Sequence, residues 1–100
     1  MKIQIVPRRN NAPSNMLAEA EIIFDTVGEL GGLKLVGFSI WEKKDGEMFV
    51  TLPSRAFGTG SERRYFDFLR STRDRHIEDT AEIKRRILEA FEYERGTHAS

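Results

Sequence analysis

Arginine dominates the chemistry this sequence offers. Arg63, Arg64, Arg70, Arg73 and Arg75 crowd residues 63–75 against Asp67 and Asp74, a local net charge of +3. Arg55 stands upstream behind Pro53-Ser54, and Lys84, Arg85 and Arg86 follow one another further on. A guanidinium is planar, permanently charged and forked, so it grips phosphate oxygens in pairs. Arginines sharing one face would follow a nucleic-acid backbone without reading bases. Phe57 and Tyr65, set among glycines and arginines, are the candidates for stacking on bases. A solvated, mixed surface accounts for the same charges, and Glu82–Arg86 and Arg85–Glu89 have the spacing of local helical ion pairs.

Other chemistry has little to stand on. No cysteine is present, which excludes disulfides, thiolate metal sites and cysteine nucleophiles. His76 and His98 are the two histidines, and neither belongs to a triad or to a metal-ligand spacing. His76 reads as a surface histidine close enough to the arginines to meet phosphate. Gly58-Thr59-Gly60-Ser61 lacks the lysine and the directly following helix of a P-loop, so it reads as a flexible connection. Glu19 and Glu21 alternate on a strand and fall on its solvent face. No catalytic residue, metal, cofactor or small-molecule substrate is expected, and the chain is not read as an enzyme.

Positioning these groups requires a sheet and a helix. Residues 2–6 alternate as a short strand, and turn residues fill 7–15. Leu17 to Asp25 sets Ala18, Ala20, Ile22 and Phe24 against Glu19, Glu21 and Asp25, the pattern of a half-buried strand. After a glycine-rich turn, Leu33 to Glu42 forms a longer strand in which Gly37 marks a bulge or a close neighbour. Asp45-Gly46 predicts a hairpin into Met48–Leu52, stopped by Pro53. Arg55 to Glu62 reads as a loop, Arg64 to Leu69 as a further strand, and Arg70 to Glu78 as a polar link. Asp79 is placed to cap a helix with Ile83, Ile87, Ala90 and Phe91 on one face, and Gly96 to end it. Phe24, Phe38, Trp41, Phe49, Phe66 and Phe91 are expected to pack in the core. The fold class is α+β, an antiparallel meander of four to five strands followed by one C-terminal helix.

The chain of 100 residues is sized for one domain, spanning 1–100 with 96–100 as a disordered tail. So short a chain buries only about 60–65% of its unfolded surface, and dimerisation would bury more. Sixteen basic residues balance sixteen acidic ones, although residues 16–30 carry a net −4. Without a membrane-length apolar run or a signal sequence, the expected location is the cytoplasm.

The order of features resembles the stage V sporulation protein G (SpoVG) family, the septation regulators. The resemblance rests on Ala20-Glu21-Ile22-Ile23-Phe24-Asp25, Leu35-Val36-Gly37-Phe38-Ser39-Ile40 and Gly46-Glu47-Met48-Phe49-Val50-Thr51-Leu52-Pro53-Ser54-Arg55. Asp67 and the helix follow in order, so that residues 17–93 are covered. Where family members carry His-Pro-Ile after the aspartate, this chain has Phe68-Leu69-Arg70-Ser71, as a divergent member would. The resemblance implies a bacterial homodimer, paired through strands and helix, that binds DNA and in some members RNA to regulate sporulation or septation. It implies phosphate contacts from Arg55 at the strand-to-loop corner and from Lys84, Arg85 and Arg86. Together with Arg63, Arg64, Arg70 and Arg73, these are the candidate binding residues. A protein-interaction module using a sheet edge or the helix face is the alternative.

Overall fold

The structure is a computed structural model describing the backbone of residues 1–98 and the side chains of residues 1–96. Four strands form one antiparallel sheet in chain order: β1 (Lys2–Pro7), β2 (Met16–Ile23), β3 (Lys34–Glu42) and β4 (Met48–Thr51). A second, two-stranded sheet pairs β5 (Ser54–Phe57) with β6 (Arg64–Asp67), and one helix, α1 (His76–His98), closes the chain. The architecture is α+β.

Period-two alternation assigns the two faces of the main sheet. Ala18, Ala20 and Ile22 of β2, Phe38 and Ile40 of β3 and Val50 of β4 are buried on the inner face. Helix α1 crosses that face, touches both edge strands, β1 and β4, and buries Ile87 and Phe91. Ile83 and Leu88 flank this stripe. Full burial of a side chain such as Ile87 is worth about 2 kcal/mol. The outer face carries Glu19 and Glu21, paired with Arg9 at 3.7 Å and Lys34 at 3.0 Å. Trp41 and Phe49 also face outward. They stack with centroids 6.4 Å apart, and the Trp41 indole N–H donates to Thr51 Oγ1 at 2.8 Å. Both rings were expected in the core, but each sits half-buried because its partner across β3 and β4 lies on the same outer side.

Gly37 satisfies both expectations made for it. The β2–β3 register jumps from Ala20↔Phe38 to Ile22↔Leu35, so β3 carries an extra residue opposite Glu21. Gly37 has φ +105°, and a Cβ built there would meet Pro53 Cβ at 3.2 Å. The bulge bends β3, and the buried Pro53 ring lies against the bare glycine.

Strands β2 and β6 each end two residues earlier than expected, at Ile23 and Asp67, and three boundaries differ more consequentially. Residues 54–57 form a strand rather than the start of a loop. Pro53 cannot donate to the main ladder, so the chain turns there and pairs with β6 instead. Helix α1 begins at His76, three residues before the expected Asp79 cap. Asp79 lies in the first turn, where its carboxylate accepts from Ser71 Oγ and Arg73, while Ser71 Oγ accepts the backbone N–H of Arg73 and Arg75. A negative charge there also complements the helix dipole. At the other end the helix runs through Gly96 to His98, where a tail was expected, and residues 99–100 lie outside those described.

The overall shape is flat. Its principal extents are 46 × 40 × 25 Å and its radius of gyration is 14.9 Å, against about 13 Å for a compact chain of this size.

Candidate nucleic-acid interface

The β5–β6 ribbon brings together half of the candidate residues. Its register pairs Arg55 with Phe66 and Phe57 with Arg64. Directly opposed residues share a face, as do residues two apart on one strand. Arg55, Phe57, Arg64 and Phe66 therefore form one surface. At its centre Phe57 and Phe66 meet edge to face, with centroids 5.2 Å apart and planes at 81°. The Arg55 guanidinium lies 4.7 Å from the Phe57 centroid, and that of Arg70 lies 5.8 Å from Phe66. On the opposite face Arg63 sits 5.8 Å from the Tyr65 ring. All three rings are exposed, Phe57 by 44%, Phe66 by 43% and Tyr65 by 66%. Phe66 is thus not the core residue its alternation implied, because β6 has no layer packed on that face.

Local geometry explains how the ribbon is held. Gly58 has φ +81°, and a Cβ there would strike Glu62 O at 2.6 Å, so the connection between the strands closes on a residue without a side chain. A 3-10 turn at Gly60–Glu62 completes the loop. At the ribbon's base, Phe68 N–H donates to Pro53 O at 2.8 Å. Arg70 Nε–H donates to Asp67 O at 2.8 Å, which fixes the guanidinium beside Phe66. His76 Nε2 lies 2.7 Å from Asp67 Oδ2. The histidine therefore ties the end of β6 to the first turn of α1.

The remaining candidates lie apart and are not equally available. Arg73 is bound to Asp79 through Nε and Nη2. Arg73 and then Ser71 hold the Asp79 carboxyl below its ordinary range. Arg85 is clasped by Glu82 and Glu89, one on either side along the helix. That clasp lowers the Glu82 carboxyl and raises the Arg85 guanidinium further above its usual value. Lys84 is half-buried and Arg86 exposed; no close ion pair holds either among the described residues, although the Arg86 charge adds to that of Arg85 in lowering Glu82. Arg86 and Arg70 line one groove together, linking the helix to the foot of the ribbon.

The ribbon has a sequence signal that a strand-by-strand reading misses. Arg55-Ala56-Phe57 and Arg64-Tyr65-Phe66 repeat an Arg-x-aromatic pattern on either side of Gly58 and Gly60. Spacing of two places arginine and ring on one face of a strand. Among the described residues no cluster of three metal-ligating side chains exists, and no helix is long and apolar enough to cross a membrane. No family model, curated protein or solved structure matches this chain.

Proposed function

We propose that the chain is a SpoVG-like nucleic-acid-binding regulator that holds DNA or RNA on the β5–β6 ribbon. The observation that carries this is the exposed surface of Arg55, Phe57, Arg64 and Phe66, with Arg70 stacked beside it. Guanidiniums lying against rings keep their edge N–H groups available for phosphate, while the rings offer π-faces to unpaired bases. Arg63 and Tyr65 repeat the pairing on the reverse face. The flat shape and the uncovered ribbon favour a homodimer, in which a second copy brings a second ribbon to the same strand of nucleic acid. A cytoplasmic regulatory role in sporulation or septation belongs to the same proposal and rests on the resemblance alone.

Fluorescence anisotropy with long DNA and RNA across a salt series tests the proposal. Binding should weaken steeply as salt rises, and Arg55→Ala should lower the slope of log K against log salt by about one. Arg85→Ala, whose guanidinium is already filled by Glu82 and Glu89, should leave the slope within error. Absence of binding to any long DNA or RNA at low salt would sink the idea. A protein-interaction module is the second reading, favoured by the exposure of Ile77 (81%) and Tyr93 (79%) on α1. It predicts a defined protein partner and no salt-dependent nucleic-acid binding.

A further inference from the structure

We propose that the groove between the N-terminal half of α1 and the adjoining end of the main sheet binds a small aliphatic carboxylate. The groove has a volume of about 390 Å³, within the range of small-molecule sites. Ile22, Phe24, Leu35, Leu69 and Ile83 make its lining apolar, and Arg70 and Arg86 stand in the same wall. Such a combination selects an amphipathic anion: a hydrocarbon chain against the lining and an anionic head on the guanidiniums.

Charge accounting around the groove gives the sign of the ligand. Two acids also line it, Asp79 and Glu82, and so does Met1, whose ammonium is paired with Asp25 at 2.7 Å. Asp79 is occupied by Arg73 and Ser71, and Glu82 by Arg85, and neither arginine lines the groove. Thr80 is likewise committed, since its hydroxyl donates to His76 O at 2.6 Å. Arg70 has spent only Nε, on the Asp67 carbonyl, so its two terminal nitrogens are unassigned. Arg86 makes no hydrogen bond or close ion pair among the described residues, although its charge also acts on Glu82 one turn earlier, after Arg85. The positive charge left over thus belongs to two arginines beside an apolar floor. A carboxylate fits a guanidinium fork with two parallel N–H···O bonds. The groove site stands without nucleic-acid binding being true, but Arg70 belongs to both surfaces, so an occupied groove would withdraw one cation from the ribbon.

Two-dimensional 1H–15N NMR of the full chain, titrated with decanoate, tests the site without any nucleic acid. Saturable shifts should centre on the amides of Leu69, Ser71, Thr80, Ile83 and Arg86. Arg86→Ala should weaken binding about tenfold, the loss expected for one charge-assisted hydrogen bond, and Arg86→Glu should abolish saturation. Both variants change an exposed side chain, and an unchanged spectrum outside the groove verifies their fold. Decyltrimethylammonium, with a tail one carbon longer and the opposite charge, should not saturate the groove. Equal binding of that cation, an Arg86→Ala affinity equal to the parent's, or shifts spread over the ribbon aromatics would each overturn the proposal. So would groove amides that shift with protein concentration alone and ignore decanoate, because a second copy would then fill the space.

Discussion

The arginines of this chain divide by what their guanidiniums already touch. Arg55 and Arg70 lie against phenyl rings, contacts worth about 0.5–1 kcal/mol at exposed sites, which hold the group without using up its fork. Arg73 and Arg85 have filled theirs with carboxylates, so a phosphate would first have to displace an acid. The carboxylate side of one such pair has a measurable signature. Because Arg73 and Ser71 hold the folded Asp79 carboxyl below its ordinary value of 3.8, the ionised form is favoured in the folded state. Its stabilising effect is complete above the ordinary aspartate range and is lost as pH falls through the lowered value. Asp79→Asn should therefore flatten the acid limb in a plot of urea midpoint against pH and leave the slope near neutrality alone. Acid limbs of equal steepness in the two proteins would show that the Ser71–Arg73–Asp79 contacts do not form in solution.

Among the elements, the ribbon depends most on a single backbone position. Gly58→Ala forces a side chain into φ +81° and against Glu62 O at 2.6 Å. The left-handed conformation alone costs a non-glycine residue about 1–2 kcal/mol. Since the loop serves only β5 and β6, the ribbon should loosen while the main sheet persists. Trypsin cleavage after Arg63 and Arg64 should then accelerate by about tenfold, the factor for that energy; an unaltered rate would mean that the loop does not hold the strands. The main sheet is legible in sequence because burial writes a pattern: Ala18, Ala20 and Ile22 against Glu19 and Glu21 can be little but a half-covered strand. The Asp45-Gly46 turn and the Ile83–Ile87–Phe91 stripe are legible for the same kind of reason. Strand β5 leaves no such pattern, because neither face of the ribbon is covered. The start of α1 is hidden by a tertiary choice, in which Asp79 binds Ser71 and Arg73 instead of capping the helix. Which arginines are free is likewise decided by neighbours such as Asp79, Glu82 and Glu89.

As a whole, the molecule has one small core and wide exposed surface. Phe38, Ile40 and Ile87 are its largest fully buried side chains, so truncating one of them removes much of the stability available. Ile87→Ala should cost about 2–5 kcal/mol, out of the roughly 5–15 kcal/mol typical of such domains. Urea denaturation should report a midpoint lowered to match, with an unchanged slope; a loss below about 1 kcal/mol would mean that α1 does not pack as described. The bulge at Gly37 has a consequence well away from its own strand. Pro53 rests on the bare face of that glycine, and the ribbon springs from Pro53. Position 37 therefore works as the bearing on which the arginine-bearing arm is mounted. A side chain there would tilt the arm and change where its arginines aim, while every arginine stayed intact. In the dimer proposed above, the span between the two arms, and hence the spacing of phosphates they would bridge, would be set at this glycine rather than at any arginine.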